Sequence, residues 1–334
     1  MTDEAPRRGG TIDRNARSRL RVRMVAGLVR AAVWLHLERA LLRAVLGARR
    51  LWAPSWRTRA FAGYTPTSRD VLVCTYSKSG TNLVLQMVHQ IATRGRGDFD
   101  HIHDVAPWPD APHPVGAALD DPPRASTELR AIKTHLDADH VPYRPEARYV
   151  VVLRNPRDVI ASAYHFAHSV AHTAIDARIS PDEWIELAIA DRLPFGSWPE
   201  HTASWWRLRG RANVLFVTYA ELTDDLDAAV RRVAAFLAVE LDDEARARVV
   251  ERCGFAWMKA HDAAFRPPVQ PLPGRQPAVM IRRGRAGDSD RLVSEATMAR
   301  LDAHFVRELE RLGCDFPYAR LVADEPLQPC APGR

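Results

Sequence analysis

The 334-residue chain predicts an α/β fold, a three-layer arrangement in which a parallel sheet is covered by helices on both faces. Three observations carry this. Residues 71–76, 148–153 and 214–218 are continuous apolar runs with the length and β-branched content of strands buried on both sides. Each is followed by a helix-period segment, from Asn82 to about Ile91, from Asp158 to about His168, and over residues 226–237. The polar stretches sit just beyond the carboxyl ends of these strands, where open parallel sheets bind ligands.

Composition bounds the rest. With 46% hydrophobic and 26% charged residues the chain is an ordinary globular protein, and disorder as its main state is excluded. Residues 1–59 hold fourteen Arg against four acids, a net +10, so the remaining chain is −4 within the +6 total. A site for an anion must therefore concentrate positive charge locally. Cys74, Cys253, Cys314 and Cys330 have no metal-ligand or disulfide-framework spacing, which suits a reducing cytoplasm.

Residues 24–51 are too often interrupted by Arg, His and Glu to span a bilayer. They do read as a long helix with Leu28, Ala32, Leu35, Leu42 and Leu46 on one face. With Trp34, Trp52 and Trp56 among the arginines, residues 20–56 suit peripheral contact with an anionic membrane surface, or packing on the main domain or a second subunit. The expected organisation is a basic helical N-terminal extension (1–59), one domain (60–322) and a C-terminal tail (323–334). Two long connections, 94–128 rich in Asp, Pro and His, and 265–283 with five Pro, are expected to be binding loops.

Only three of the 47 basic residues are lysines, Lys78, Lys133 and Lys259, and two of them lie in polar stretches next to strands. A compact point charge is needed where a planar guanidinium fits badly, as at phosphoryl or sulfuryl oxygens. Thr75-Tyr76-Ser77-Lys78-Ser79-Gly80-Thr81 joins a strand to a helix and forms an anion cradle: backbone amides of the turn and of Asn82 point outward, and Lys78, Ser79 and Thr81 add donors. It lacks the G-x-x-x-x-G-K-[ST] string, which argues against a nucleotide triphosphatase or P-loop kinase. Lys133-Thr134-His135 supplies a second lysine and a candidate base.

Set together, these segments resemble the cytosolic sulfotransferases. Residues 75–81 resemble the family's T-Y-P-K-S-G-T phosphosulfate loop, with Ser77 replacing Pro. Arg154-Asn155-Pro156-Arg157-Asp158-Val159 through Ser162, Tyr164, His165 and Phe166 resembles the 3′-phosphate motif. Phe195-Gly196-Ser197-Trp198, His201, Trp205-Trp206 and Met280-Ile281-Arg282-Arg283-Gly284 follow the family in order.

The resemblance implies transfer of a sulfuryl group from 3′-phosphoadenosine 5′-phosphosulfate (PAPS) to an acceptor hydroxyl or amine of a small, apolar molecule or lipid. It implies a P-loop-like turn for the phosphosulfate, His135 as general base, and Lys78 and Lys133 on the reacting oxygens. Arg154, Ser162, Arg282, Arg283 and Gly284 would hold the 3′-phosphate, and Tyr219 and Phe255 the adenine. Arg157 and Arg285 are expected to face solvent, Lys259 to be a helix-end residue, and Phe166, Trp108, His101, His103 and Trp198 to line the acceptor pocket. No metal and no nucleic-acid partner are expected.

Leu83 stands where the family has Trp, and Ser289 and Asp290 replace its Trp and Lys. The downstream dimer motif is not reproduced, so the oligomeric state stays open. The rival readings are a nucleotide-binding pseudoenzyme, which retention of Lys78, Lys133 and His135 together argues against, a P-loop small-molecule kinase, and a membrane-anchored carbohydrate sulfotransferase. The resemblance implies a cytoplasmic enzyme, peripheral at the inner face of a membrane if the N-terminal helix binds lipid.

Overall fold

The computed structural model describes residues 57–111, 115–171, 180–193, 196–266, 279–284, 287 and 292–327. The helix expected within residues 24–51 lies outside them, as does most of the Pro-rich stretch before Val279. Four strands, β1 (Asp70–Thr75), β2 (Arg130–Thr134), β3 (Arg148–Leu153) and β4 (Val214–Thr218), form one parallel sheet in the order β2-β1-β3-β4. β1 pairs with β2 on one side and β3 on the other. The strand order reverses about β1 and β3, so the crevice beyond their carboxyl ends is the switch point where such sheets take ligands.

The alternation of strand side chains divides the core in two. Val71, Val73, Ala131, Val150, Val152 and Val217 face α1 (Thr81–Ala92), α6 (Leu226–Leu237) and α7 (Asp243–Cys253). Leu72, Cys74, Ile132, Tyr149, Val151 and Leu153 face α2 (Pro156–Ala171), α3 (Pro181–Ile189), α4 (Trp198–Trp206) and α9 (Glu295–Arg311). These are the expected three layers. Short α5 (Tyr219–Asp224), α8 (Phe255–Ala260) and α10 (Tyr318–Val322) complete the helices among the described residues.

Helix starts follow side-chain chemistry: Ser180, Ser197, Asp225, Asp242 and Ser294 each accept an N-terminal amide, and Thr218 with Glu221 forms a capping box. Indole groups then fix layer to layer. Trp184 Nε1 donates to the Ile160 carbonyl at 3.1 Å, and Trp205 Nε1 to the Leu136 carbonyl at 3.1 Å. Among the described residues no helix is long and apolar enough to cross a membrane.

Candidate active site

The turn after β1 is built for an anion. Lys78 (φ 72°) and Gly80 (φ 97°) both take left-handed backbone, which is strained for the lysine. Gly80 is required on a second count, because a Cβ there would lie 2.6 Å from Tyr219 Cδ2. α1 consequently begins without a side-chain cap and without an acid in its first turn, leaving its amides and the positive end of its dipole to a ligand. Ser79 Oγ and Arg154 Nε are buried without hydrogen-bond partners. Orphaned buried donors beside an uncapped helix are what a bound phosphate group would satisfy, so these residues fit the phosphosulfate.

Arg154 follows β3 and is held rigidly. It donates to the Lys78 carbonyl at 3.1 Å and to Asp158 Oδ2 at 3.4 Å, and its guanidinium stacks 4.3 Å from the Tyr219 ring centroid. Asp158 Oδ2 also accepts the Gly287 amide at 2.8 Å.

The two loop lysines are stored against aromatic faces. Lys78 Nζ lies 3.9 Å from the Phe166 ring centroid and 3.7 Å from Met280 Sδ. Lys133 Nζ lies 3.4 Å from the Trp108 ring centroid. Burial, then Arg154 and Arg282, pushes Lys78 down to about 7. Burial also brings Lys133 to about 7, with Lys78 adding to the fall and Asp110 opposing it. Both are poised to gain charge when an anion arrives.

His135 follows β2 directly. Its Nδ1 lies 2.8 Å from the Thr75 carbonyl oxygen, which can only accept, so Nδ1 carries the proton and Nε2 presents a lone pair. Burial, then Lys133, holds the imidazole well below its usual value and keeps it neutral. Asp110, buried within the 94–128 connection, accepts the His135 amide at 2.8 Å; burial raises its carboxyl to about 6. That connection also lends β2 the Pro107 carbonyl, which accepts the Lys133 amide at 2.8 Å. It thereby carries Trp108 to within 5.7 Å of the His135 ring, edge to face.

A second arm comes from residues 279–284. Asp262 Oδ1 accepts the amides of Met280 (3.0 Å) and Ile281 (2.6 Å), and Lys259 donates to the Ile281 carbonyl. This sets Arg282, half-buried, close enough to depress Lys78, with exposed Arg283 beside it. The Phe255 ring, 44% exposed, lies so close over Gly284 that a Cβ there would sit 2.1 Å from Phe255 Cδ2. Leu83 packs in the cluster that includes Trp257, Met280 and Ile281.

Lys78, Lys133, His135, Arg154, Phe166, Trp108 and Tyr219 are thus brought together, Arg282 acts on Lys78 through its charge, and Ser162 stands half-buried two turns along α2 from Arg154. Asn82, expected to offer its backbone amide, spends its side-chain amide on the Phe265 carbonyl at 3.2 Å. Other expected residues are placed differently. His101 bonds the Arg266 carbonyl at 2.8 Å and reaches Trp108 only through the His103 ring.

Trp198 is a core residue, 2% exposed, stacked on Phe305 and edge-on to Phe316 and Tyr318, because its position at the start of α4 points it at α9. It borders a cavity of about 260 Å³ that Tyr76, Leu193 and Phe305 also line. Arg157 does not face solvent; it bonds Asp302 Oδ2 at 2.9 Å and pairs with Glu295 at 3.0 Å, tying α2 to α9. Arg285 lies outside the described residues. Asp110 and Asp262 carry no motif signal of their own; Asp110 joins the site through the path of its loop and Asp262 through the 3-10 turn that follows α8.

Comparison with known proteins places the chain in a family. Residues 68–313 match the family described as "Sulfotransferase domain". Sulfotransferase 1C2 of Oryctolagus cuniculus is 28% identical over 262 residues, 74% of this chain and 85% of that protein. Sulfotransferase 2B1 of Rattus norvegicus is 31% identical over 263 residues, 76% and 75% of the two chains. Among solved structures, mouse sulfotransferase SULT7A1 complexed with PAP superposes with a TM-score of 0.59 at 18% identity, over 81% of this chain and 94% of that one. Retinol dehydratase in complex with androsterone and inactive cofactor PAP gives 0.63 at 19% identity, over 78% and 87%. The chain belongs to the sulfotransferase family and is a PAPS-dependent sulfotransferase.

Proposed function

We propose that the enzyme sulfates a hydroxyl (or amine) of a small apolar acceptor by in-line displacement, with His135 as general base. The observation that carries this is the 2.8 Å contact of His135 Nδ1 with the Thr75 carbonyl, which leaves Nε2 unprotonated. The bound donor supplies a sulfuryl group whose departure leaves 3′-phosphoadenosine 5′-phosphate (PAP). Lys78, Ser79, Gly80, Thr81 and the first amides of α1 hold the 5′ end; Arg154, Ser162, Arg282, Arg283 and Gly284 hold the 3′-phosphate. Tyr219 and Phe255 offer rings to the base. Lys78 and Lys133 leave their aromatic shelves to place point charge on the anionic oxygens, which the forked guanidinium of Arg could not do as compactly. His135 Nε2 accepts the acceptor's proton.

Phe166 and Trp108 give the acceptor side an apolar, aromatic character. The solved relative with androsterone bound supports a small apolar acceptor, and the +10 charge of residues 1–59 supports delivery from an anionic membrane surface. The test is transfer of label from sulfur-35 PAPS to a panel of phenols, sterols and long-chain alcohols, with the product identified by mass spectrometry. Labelled product that depends on His135 is the expected result, and equal labelling by a folded His135→Ala protein would remove the base from the mechanism.

A further inference from the structure

Phe255 and Lys259 lie four apart on one face of α8, and Asp262 opens the 3-10 turn that directly follows that helix. All three grip the same short strand of chain. The Phe255 ring covers Gly284, Lys259 Nζ holds the Ile281 carbonyl, and Asp262 Oδ1 holds the Met280 and Ile281 amides at 3.0 and 2.6 Å. Asp262 is 7% exposed and its other oxygen accepts Arg266 Nε at 2.8 Å, so the carboxylate is itself fixed. The gripped segment carries Arg282 and Arg283 and lays Met280 Sδ on Lys78.

We propose that the strip from α8 through Asp262 is a positioning device that presents residues 280–284 to the nucleotide, with Asp262 as its principal latch and Lys259 as its second. The proposal rests on the assignment of Arg282, Arg283 and Gly284 to the 3′-phosphate. The strip sets donor affinity and the preference for a 3′-phosphorylated nucleotide. It gives the third lysine of the chain a purpose that requires no contact with substrate. A lysine suits that place because a single flexible ammonium can reach one carbonyl from a helix face, while Asp262 takes the Met280 and Ile281 amides.

The experiment measures binding of PAP and of adenosine 5′-phosphate by titration calorimetry to the full chain and to Asp262→Ala, Asp262→Asn, Lys259→Ala and Arg283→Ala. Hydrogen exchange of the Met280 and Ile281 amides is followed without nucleotide. Asp262→Ala should lose about tenfold in PAP affinity, the scale of losing hydrogen bonds to a charged acceptor. Its affinity for adenosine 5′-phosphate should be unchanged, the two amides should exchange faster, and KM for PAPS should rise more than kcat falls. Asp262→Asn keeps the accepting oxygen and should recover most of the affinity, and Lys259→Ala should lose less than Asp262→Ala.

Unchanged PAP affinity and amide exchange in a folded Asp262→Ala protein would overturn the proposal. So would parallel losses for both nucleotides, which mark a general structural role. If Arg283→Ala binds both nucleotides as the parent does while Asp262→Ala discriminates, the arginine assignment fails and the latch stands. Discrimination lost in Arg283→Ala alone leaves the assignment and removes the latch.

Discussion

The Thr75 carbonyl oxygen, at the end of β1, lies 2.8 Å from Nδ1 of His135, the residue after β2. Strand register produces this contact, since Cys74 pairs with Thr134 and the next residue of each strand therefore emerges side by side. The His135 ring is oriented by main chain rather than by a carboxylate. His135→Ala should fold normally and lose about 10²–10⁴ in kcat, the usual contribution of general base catalysis. Because burial and Lys133 hold the imidazole well below its ordinary value, the rate should not begin to fall on the acid side until well under pH 6.5. A profile with an acid limb centred at an ordinary histidine value would contradict the assignment.

Lys78 and Lys133, each held near 7 by burial, should make nucleotide binding pH-dependent. An anion favours their charged forms, so binding should take up protons above pH 7 and weaken as pH rises. Calorimetry in two buffers of different ionisation heat measures that uptake. The sign for stability is the opposite of the usual lysine pairing: these folded values lie below the ordinary lysine value of 10.5, so above about pH 7 the unfolded chain binds more protons than the native one. The ligand-free melting temperature should therefore gain from these groups between pH 7 and 9. Lys78→Met should flatten that gain, raise the melting temperature at pH 7 and abolish transfer.

Much of this was legible in the sequence because it rests on local pattern. β3, β4 and α6 have the bounds their apolar runs predict. β2 is different: Arg130-Ala131-Ile132-Lys133-Thr134 offers only two apolar residues and reads as a stub. It is a strand because β1 supplies one ladder and the Pro107 carbonyl accepts an amide on its other side, a tertiary effect no five-residue window contains. Site residues named by turn chemistry, such as Lys78 and Gly80, were legible for the same local reason. Trp198 and Arg157 went astray because a motif shows which residues accompany the site but not which way a helix turns them. Asp110 lies in a loop whose path is set by distant packing, and the role of Asp262, at the start of a 3-10 turn, depends on where residues 279–284 pass beside it.

Gly80→Ala should abolish nucleotide binding and cost about 1–3 kcal/mol, the range for a non-glycine residue forced into strained backbone. At φ 97° the new methyl would also press on Tyr219 from 2.6 Å, displacing the ring beneath Arg154. Denaturant unfolding and PAP titration check the two effects. Binding at parental affinity would mean that the turn does not cradle the anion.

Arg154 and Arg157 separate ligand binding from architecture within one motif. Arg154→Ala removes a buried, partly unpartnered guanidinium beside Lys78 and should weaken PAP by tenfold or more with the scale of a lost charged hydrogen bond, about 1.5–3 kcal/mol. Arg157→Ala breaks the pair with Asp302 and should lower stability by about 1 kcal/mol while leaving PAP affinity unchanged. Reversed results would exchange the two roles.

Trp205→Phe removes one donor while keeping most of a buried ring. Its Nε1 holds the Leu136 carbonyl at 3.1 Å, immediately after His135, while the Ala138 amide is held by Ser204 Oγ at 2.9 Å, so α4 fixes the chain that leaves the base. Leaving the Leu136 carbonyl buried and unpaired should cost about 1–3 kcal/mol in denaturant unfolding. Because the loosened segment carries His135, kcat should fall while PAP affinity, assigned to the turn after β1 and to residues 280–284, should stay the same. A loss of PAP affinity equal to the loss of kcat would show instead that the substitution disturbs the whole crevice and that α4 has no particular hold on the base.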